Sequence, residues 1–101
     1  MPLKELIDRA TAIAGSLRKL ATQTGIPASN LSEMRHGKRP CPIKIRAQLL
    51  VITGESEDRA RMIALADQYA DSDDPRWQAA AKMVTAAIDA YYPPVQKASK
   101  P

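Results

Sequence analysis

The sequence predicts an all-α protein built from six helices. Apolar residues recur at spacings of three and four, the period of a helix with one buried face. All four glycines fall between these runs and punctuate them. Aromatic residues make up only 4% of the 101 residues and phenylalanine is absent, so the core must rest on Leu, Ile, Val, Met and Ala. That palette suits helices better than sheets. At 45% hydrophobic and 26% charged, the composition is that of a folded domain rather than a disordered chain.

The first helix is predicted over residues 3–14, where Leu3, Leu6, Ile7, Ala10, Ile13 and Ala14 form a stripe that Leu17 extends. Gly15 ends it, and Ser16 caps a second helix over 17–24 that Gly25 stops. A third runs from Pro27 to Arg35, with proline in its first turn and Gly37 beyond its end. Pro40 and Pro42 keep residues 37–42 out of regular helix, leaving a basic exposed loop. A fourth helix is predicted over 43–53, apolar through Ile45, Leu49, Leu50 and Ile52 and closed by Gly54. Ser56, followed by Glu57 and Asp58, starts a fifth over 57–70, with its acids at the positive end of the helix dipole. The acids of 71–74 break the chain, Pro75 opens a sixth helix over 75–91, and Pro93 and Pro94 end it. The residues beyond read as a flexible tail, 93–101.

The formal net charge of +4 is unevenly spread. Residues 1–46 hold nine Lys/Arg against three Asp/Glu, and residues 47–101 hold six against eight. A basic first half beside a mildly acidic second half points to a polyanionic partner for the first half alone. The single cysteine, Cys41, permits no intrachain disulfide. Cys41 and His36 are too few ligands for a metal site, and no cofactor is expected. The acids at 71–74 lack the spacing of a calcium loop. No nucleophile–base–acid set or glycine-rich phosphate loop is present, so an enzyme is not expected. No apolar run approaches membrane-spanning length, and the charges at Glu5, Asp8 and Arg9 exclude a signal peptide. A cytoplasmic location, with no membrane partner, is the expectation.

The chemistry is concentrated in LATQTGIPASNLSEMRHG, residues 20–37. Here two short helices meet at a tight turn. Gly25 supplies the positive φ that such a turn requires. Ala21 is small where the helices approach. Leu20, Ile26, Leu31 and Met34 fall on the inward faces. The third helix is left with Ala28, Ser29, Ser32 and Glu33 outward, short or polar side chains that suit a groove floor, and Lys38 and Arg39 follow at once.

This ordered set, Leu20-Ala21, Gly25, Ile26, Leu31, Met34 and Gly37 with Lys38-Arg39 behind it, resembles the helix-turn-helix of the phage Cro/repressor family, the XRE-like regulators. The likeness covers about residues 3–54. It implies a five-helix lambda-repressor-like DNA-binding domain over 1–74, with its motif at 17–37 and an additional C-terminal amphipathic helix over 75–92. The chain departs from the family's pattern at Thr24, usually apolar, at Arg35, often Glu, and at Leu17, where a phosphate-binding Gln is frequent.

The resemblance implies base contacts from Ala28, Ser29, Asn30, Ser32 and Glu33, with Ser29 and Glu33 foremost. Serine can donate or accept, glutamate can accept from cytosine, and an alanine methyl can meet thymine. Asn30 can read adenine, bind a phosphate or sit partly buried. Arg18, Arg35, His36, Lys38, Arg39 and Lys44 are the phosphate candidates, each of which could instead be a solvated charge. On the sixth helix, Trp77, Ala81, Val84, Ile88 and Tyr91 form an apolar stripe that either pairs two chains or covers the chain's own core. The functional expectation is a repressor, of phage or prophage type, that binds a palindromic double-stranded operator as a homodimer. The alternatives are an antitoxin that represses its own operon and docks a toxin on its C-terminal helices, or a protein-interaction module that no longer binds DNA.

Overall fold

Left-handed backbone at four glycines divides the chain. Gly15, Gly25, Gly37 and Gly54 all take positive φ, and no other described residue does. In the computed structural model, which describes residues 1–94, the chain forms six helices, α1 (Leu3–Ala14), α2 (Leu17–Thr24), α3 (Ala28–Arg35), α4 (Ile43–Ile52), α5 (Glu57–Ala70) and α6 (Pro75–Tyr91), the last two parted by residues 71–74 rather than by a glycine. There is no strand among the described residues. The predicted tail lies, from residue 95 onward, outside them.

Local chemistry fixes the boundaries. The Ser16 side chain accepts a hydrogen bond from the Lys19 N–H at 3.0 Å, and Ser56 accepts from Arg59 at 3.3 Å. Asp74 caps α6 through the Arg76 N–H at 2.9 Å. Two predicted ends move by one residue. Pro27, at ψ 139°, stands outside α3 as its N-terminal flank, and Thr53 flanks the C-terminus of α4.

Leu6, Ile7, Leu20, Leu31 and Leu49 are fully buried, and they join α1 through α4 in one core. Ile26 and Met34 are buried as the helical spacing predicts. Ala60 and Ala64 bring α5 into the same cluster. Leu17, which begins α2 rather than continuing the α1 stripe, packs against its edge. The Thr24 hydroxyl is satisfied locally. It donates to the Leu20 carbonyl at 2.9 Å and accepts from the Ile26 N–H at 3.3 Å, which ties the α2–α3 turn together.

α6 lies along α5 and contributes nothing to that main cluster. Of the stripe left open between pairing and covering, Ala81 and Ile88 are 5% exposed and buried within the chain. They cover α5 and are therefore not available to a second molecule. Val84 is half-buried, whereas Trp77 and Tyr91 at the two ends remain 50% and 78% exposed. Arg59 fastens the pair of helices. It donates to Asp89 at 2.7 Å, to the Tyr92 carbonyl at 2.8 Å and to Glu55 at 2.9 Å. No described helix is long and apolar enough to cross a membrane.

Candidate nucleic-acid interface

α3 is eight residues long, and its sequence sorts its sides. Leu31 and Met34 point into the core. At about 100° per residue, Ser29, Ser32 and Glu33 fall on the opposite side. Ser29 and Glu33 are exposed, and Ala28, Asn30 and Ser32 on the flanks are half-buried. The helix therefore presents a narrow outer face of two hydroxyls and one carboxylate.

That carboxylate is not free. Arg39 Nε donates to Glu33 Oε1 at 2.8 Å. A predicted reader and a predicted phosphate ligand are thus partners, and the arginine offsets the only negative charge on the face. The chain is bent back by the end of α3, where Gly37 N–H donates to the Met34 carbonyl and Lys38 N–H to the Glu33 carbonyl. This places Arg39 against Glu33 on the outer face rather than beyond the tip of the helix.

Arg35 requires a correction. It was expected on phosphate, but its guanidinium meets Asp8 of α1 through two hydrogen bonds, at 2.6 and 3.2 Å. Its position on α3 explains the difference, because it lies on the side turned toward α1 rather than on the outer face. The hydrogen bonds from Arg35 hold the Asp8 carboxyl below its usual range, and the same contact raises Arg35. Arg35 thus links α3 to α1. His36 is exposed, but its Nδ1 donates to the Ser32 carbonyl at 2.7 Å, which leaves Nε2 as the ring nitrogen facing outward chemistry.

The basic half sorts in the same way. Arg9 pairs with Glu5, Arg35 with Asp8, Arg39 with Glu33, and Arg46 with Asp67 and Asp71. Among the described residues of this half, Lys4, Arg18, Lys19, Lys38 and Lys44 form no ion pair. All five are exposed. Arg18 and Lys19 open α2, Lys38 follows α3, and Lys44 begins α4. Cations thus stand at the starts of α2 and α4 and just after α3.

Sequence reasoning missed two features. Arg46 was counted with the surface charge but is only 7% exposed, spanning from α4 to Asp67 and Asp71 of the α5 end. Desolvation raises the Asp67 carboxyl, and its Oδ2 has no hydrogen-bond partner among the described residues. Periodicity had offered a hint, since Arg46 lies between Ile45 and Ala47 on a helix with little polar face. The second is a groove of about 730 Å³ between the end of α2, α4 and the start of α5, walled by Ile43, Ala47, Val51 and Ile52 with Lys44 at its rim. No local signal announced it, because it arises from packing of distant segments.

Among the described residues, no group of three His, Cys, Asp or Glu is gathered to hold a metal ion. Cys41 is half-buried, and burial pushes its thiol up, away from the reactive thiolate. Comparison with family models, curated proteins and solved structures finds no match to this chain.

Proposed function

We propose that this chain is a sequence-specific reader of double-stranded DNA, a transcriptional repressor of phage or prophage type with a lambda-repressor-like helix-turn-helix. The observation that carries the reading is the outer face of α3: Ser29 and Glu33 exposed, short side chains on the flanks, and unpaired cations on the neighbouring elements. An α-helix of this kind fits the major groove, where hydroxyls and a carboxylate distinguish base edges.

In this reading α3 lies in the groove. Ser29 and Glu33 read bases, with Ser32, Asn30 and Ala28 at the margins. Arg18, Lys38 and Lys44 contact phosphates and fix the register, and Lys19 adds to the field. Arg39 orients the Glu33 carboxylate, and Arg35 holds the helix through Asp8 instead of touching DNA. A single eight-residue helix reads few base pairs, so useful specificity calls for two copies on a palindromic operator, about 34 Å apart.

Selection of bound sequences from a random DNA pool tests the reading, with a palindromic motif expected. Ser29→Ala with Glu33→Ala should flatten base preference while keeping nonspecific binding. Lys38→Ala with Lys44→Ala should weaken binding to every sequence. With Arg18, Lys38 and Lys44 each neutralising one phosphate, the log–log salt slope should be about −3 per monomer. Absence of DNA binding even at low salt overturns the reading and leaves a protein-interaction module.

A further inference from the structure

The apolar residues of α6 exceed what covering α5 requires. A helix that closes its own domain needs one apolar stripe and carries polar residues elsewhere. On α6 the inward stripe is Ala81, Val84 and Ile88. Gln78, Lys82, Thr85 and Asp89 follow one another at spacings of four, three and four, which collects nearly all the polar groups into a single strip about 60° wide. Directly opposite the inward stripe stand Ala79, Met83, Ala86 and Ala90, also at four, three and four. All four are exposed, and Met83 is 74% exposed. A helix apolar on two opposed sides belongs between two surfaces. α5 is one of them.

We propose that the other is the same face of α6 in a second copy of this chain, packed antiparallel. The four-three-four spacing is a heptad seam. Its three alanines allow close approach of the helix axes, with the flexible Met83 filling the space between them. Setting Met83 against Ala86 of the second copy also sets Ala79 against Ala90, so the surface is complementary to itself. The charges choose the direction. Lys82 and Asp89 lie on the same edge of the seam, seven residues apart and opposite in sign. In an antiparallel pair that edge meets its own counterpart, and Lys82 comes within about 3 Å along the axis of Asp89 in the second copy, twice over. A parallel pair would place it against Ala80 and Ala87 and form no charge pair. Asp89 already accepts from Arg59, yet its side chain is 75% exposed and can take a second donor.

The inference rests on the DNA reading in one respect only, that one α3 reads too little alone; the argument from α6 stands by itself. Sedimentation velocity of the full chain across micromolar concentrations should show a dimer. Met83→Glu should raise the dissociation constant about tenfold or more, with an unchanged helical spectrum. Ala79→Arg should do the same should Met83→Glu disturb folding, and Met83→Leu should keep the dimer. In a Cys41→Ser background, a mixture of Ala79→Cys and Ala90→Cys chains should form an intermolecular disulfide, whereas neither alone should do so. A chain that stays monomeric, or dimers that withstand both Met83→Glu and Ala79→Arg, overturn the proposal. So does self-linking of Ala79→Cys alone, the mark of a parallel pair. A dimer that binds no DNA upholds this surface and refutes the DNA reading; a monomer that still selects a half-site does the reverse.

Discussion

Residues 3–52 completely bury Leu6, Ile7, Leu20, Leu31 and Leu49, whereas α6 buries one alanine and one isoleucine. In the first region α3 turns Leu31 and Met34 inward and polar residues outward, α1 buries Leu6, Ile7 and Ala10 while leaving Ile13 exposed, and the outer side of α3 is left free for chemistry. In the second, α6 keeps apolar groups on its outer side and is fastened to α5 by Arg59 and two buried side chains. The first region, joined by Ala60 and Ala64 of α5, encloses the main core and offers polar contacts along α3. The second is more weakly held and offers apolar ones.

The comparison can be tested by deletion of core atoms. Leu31→Ala should cost about 2–5 kcal/mol and lower the thermal midpoint of the whole chain. Ile88→Ala should instead loosen α6 first, visible as faster amide exchange in residues 75–91 with α1–α4 still protected. If Ile88→Ala unfolds α1–α4 as readily as Leu31→Ala does, the division between the regions is wrong. Arg59→Ala should accelerate exchange in the same part of α6 and leave α3 untouched.

Smaller effects sharpen the picture of the first region. Gly25→Ala should cost about 1–2 kcal/mol, all of it backbone strain, because φ is +74° and a methyl would meet nothing within 4 Å. Ser16→Ala should cost about 1 kcal/mol by releasing the Lys19 N–H, read from chemical denaturation. The pH response is the slightest. Arg35 lowers Asp8 in the first region, and Arg76 lowers Asp74 at the start of α6. A carboxyl lowered in the folded chain stabilises it above the unfolded value of 3.8, and that contribution disappears as pH falls through the lowered folded value. Acid titration should thus release both contacts below about 3.8, and Asp8→Asn should remove only the share that belongs to α3. A stability curve that Asp8→Asn leaves unaltered in acid would mean that Arg35 does not hold the helix.

Much of this architecture is legible in local sequence, because glycine, proline and capping side chains act on their own neighbours. Ser16, Gly25, Ser56 and Pro75 mark their helices without tertiary help, and the spacing of Leu20, Ile26, Leu31 and Met34 identifies the inward side of the α2–α3 pair. What stays hidden depends on partners distant in sequence. Arg35 meets Asp8 across 27 residues, and nothing near either one signals it. Arg46 is buried because α5 returns with Asp67 and Asp71. On α6, periodicity finds the stripe of Trp77, Ala81, Val84, Ile88 and Tyr91 but does not say whether it covers α5 or pairs two chains, since an alanine serves equally well on a packed or an open side.

The sole tryptophan belongs to the weaker region. Trp77 opens α6, half-exposed, with its ring 5.0 Å from that of Tyr69 on α5. Its emission therefore senses separation of the last helix, whereas circular dichroism weighs every helix in proportion to its length. The two optical signals of the unaltered protein consequently follow different events, and a melt recorded by fluorescence alone would understate the durability of the part that carries α3.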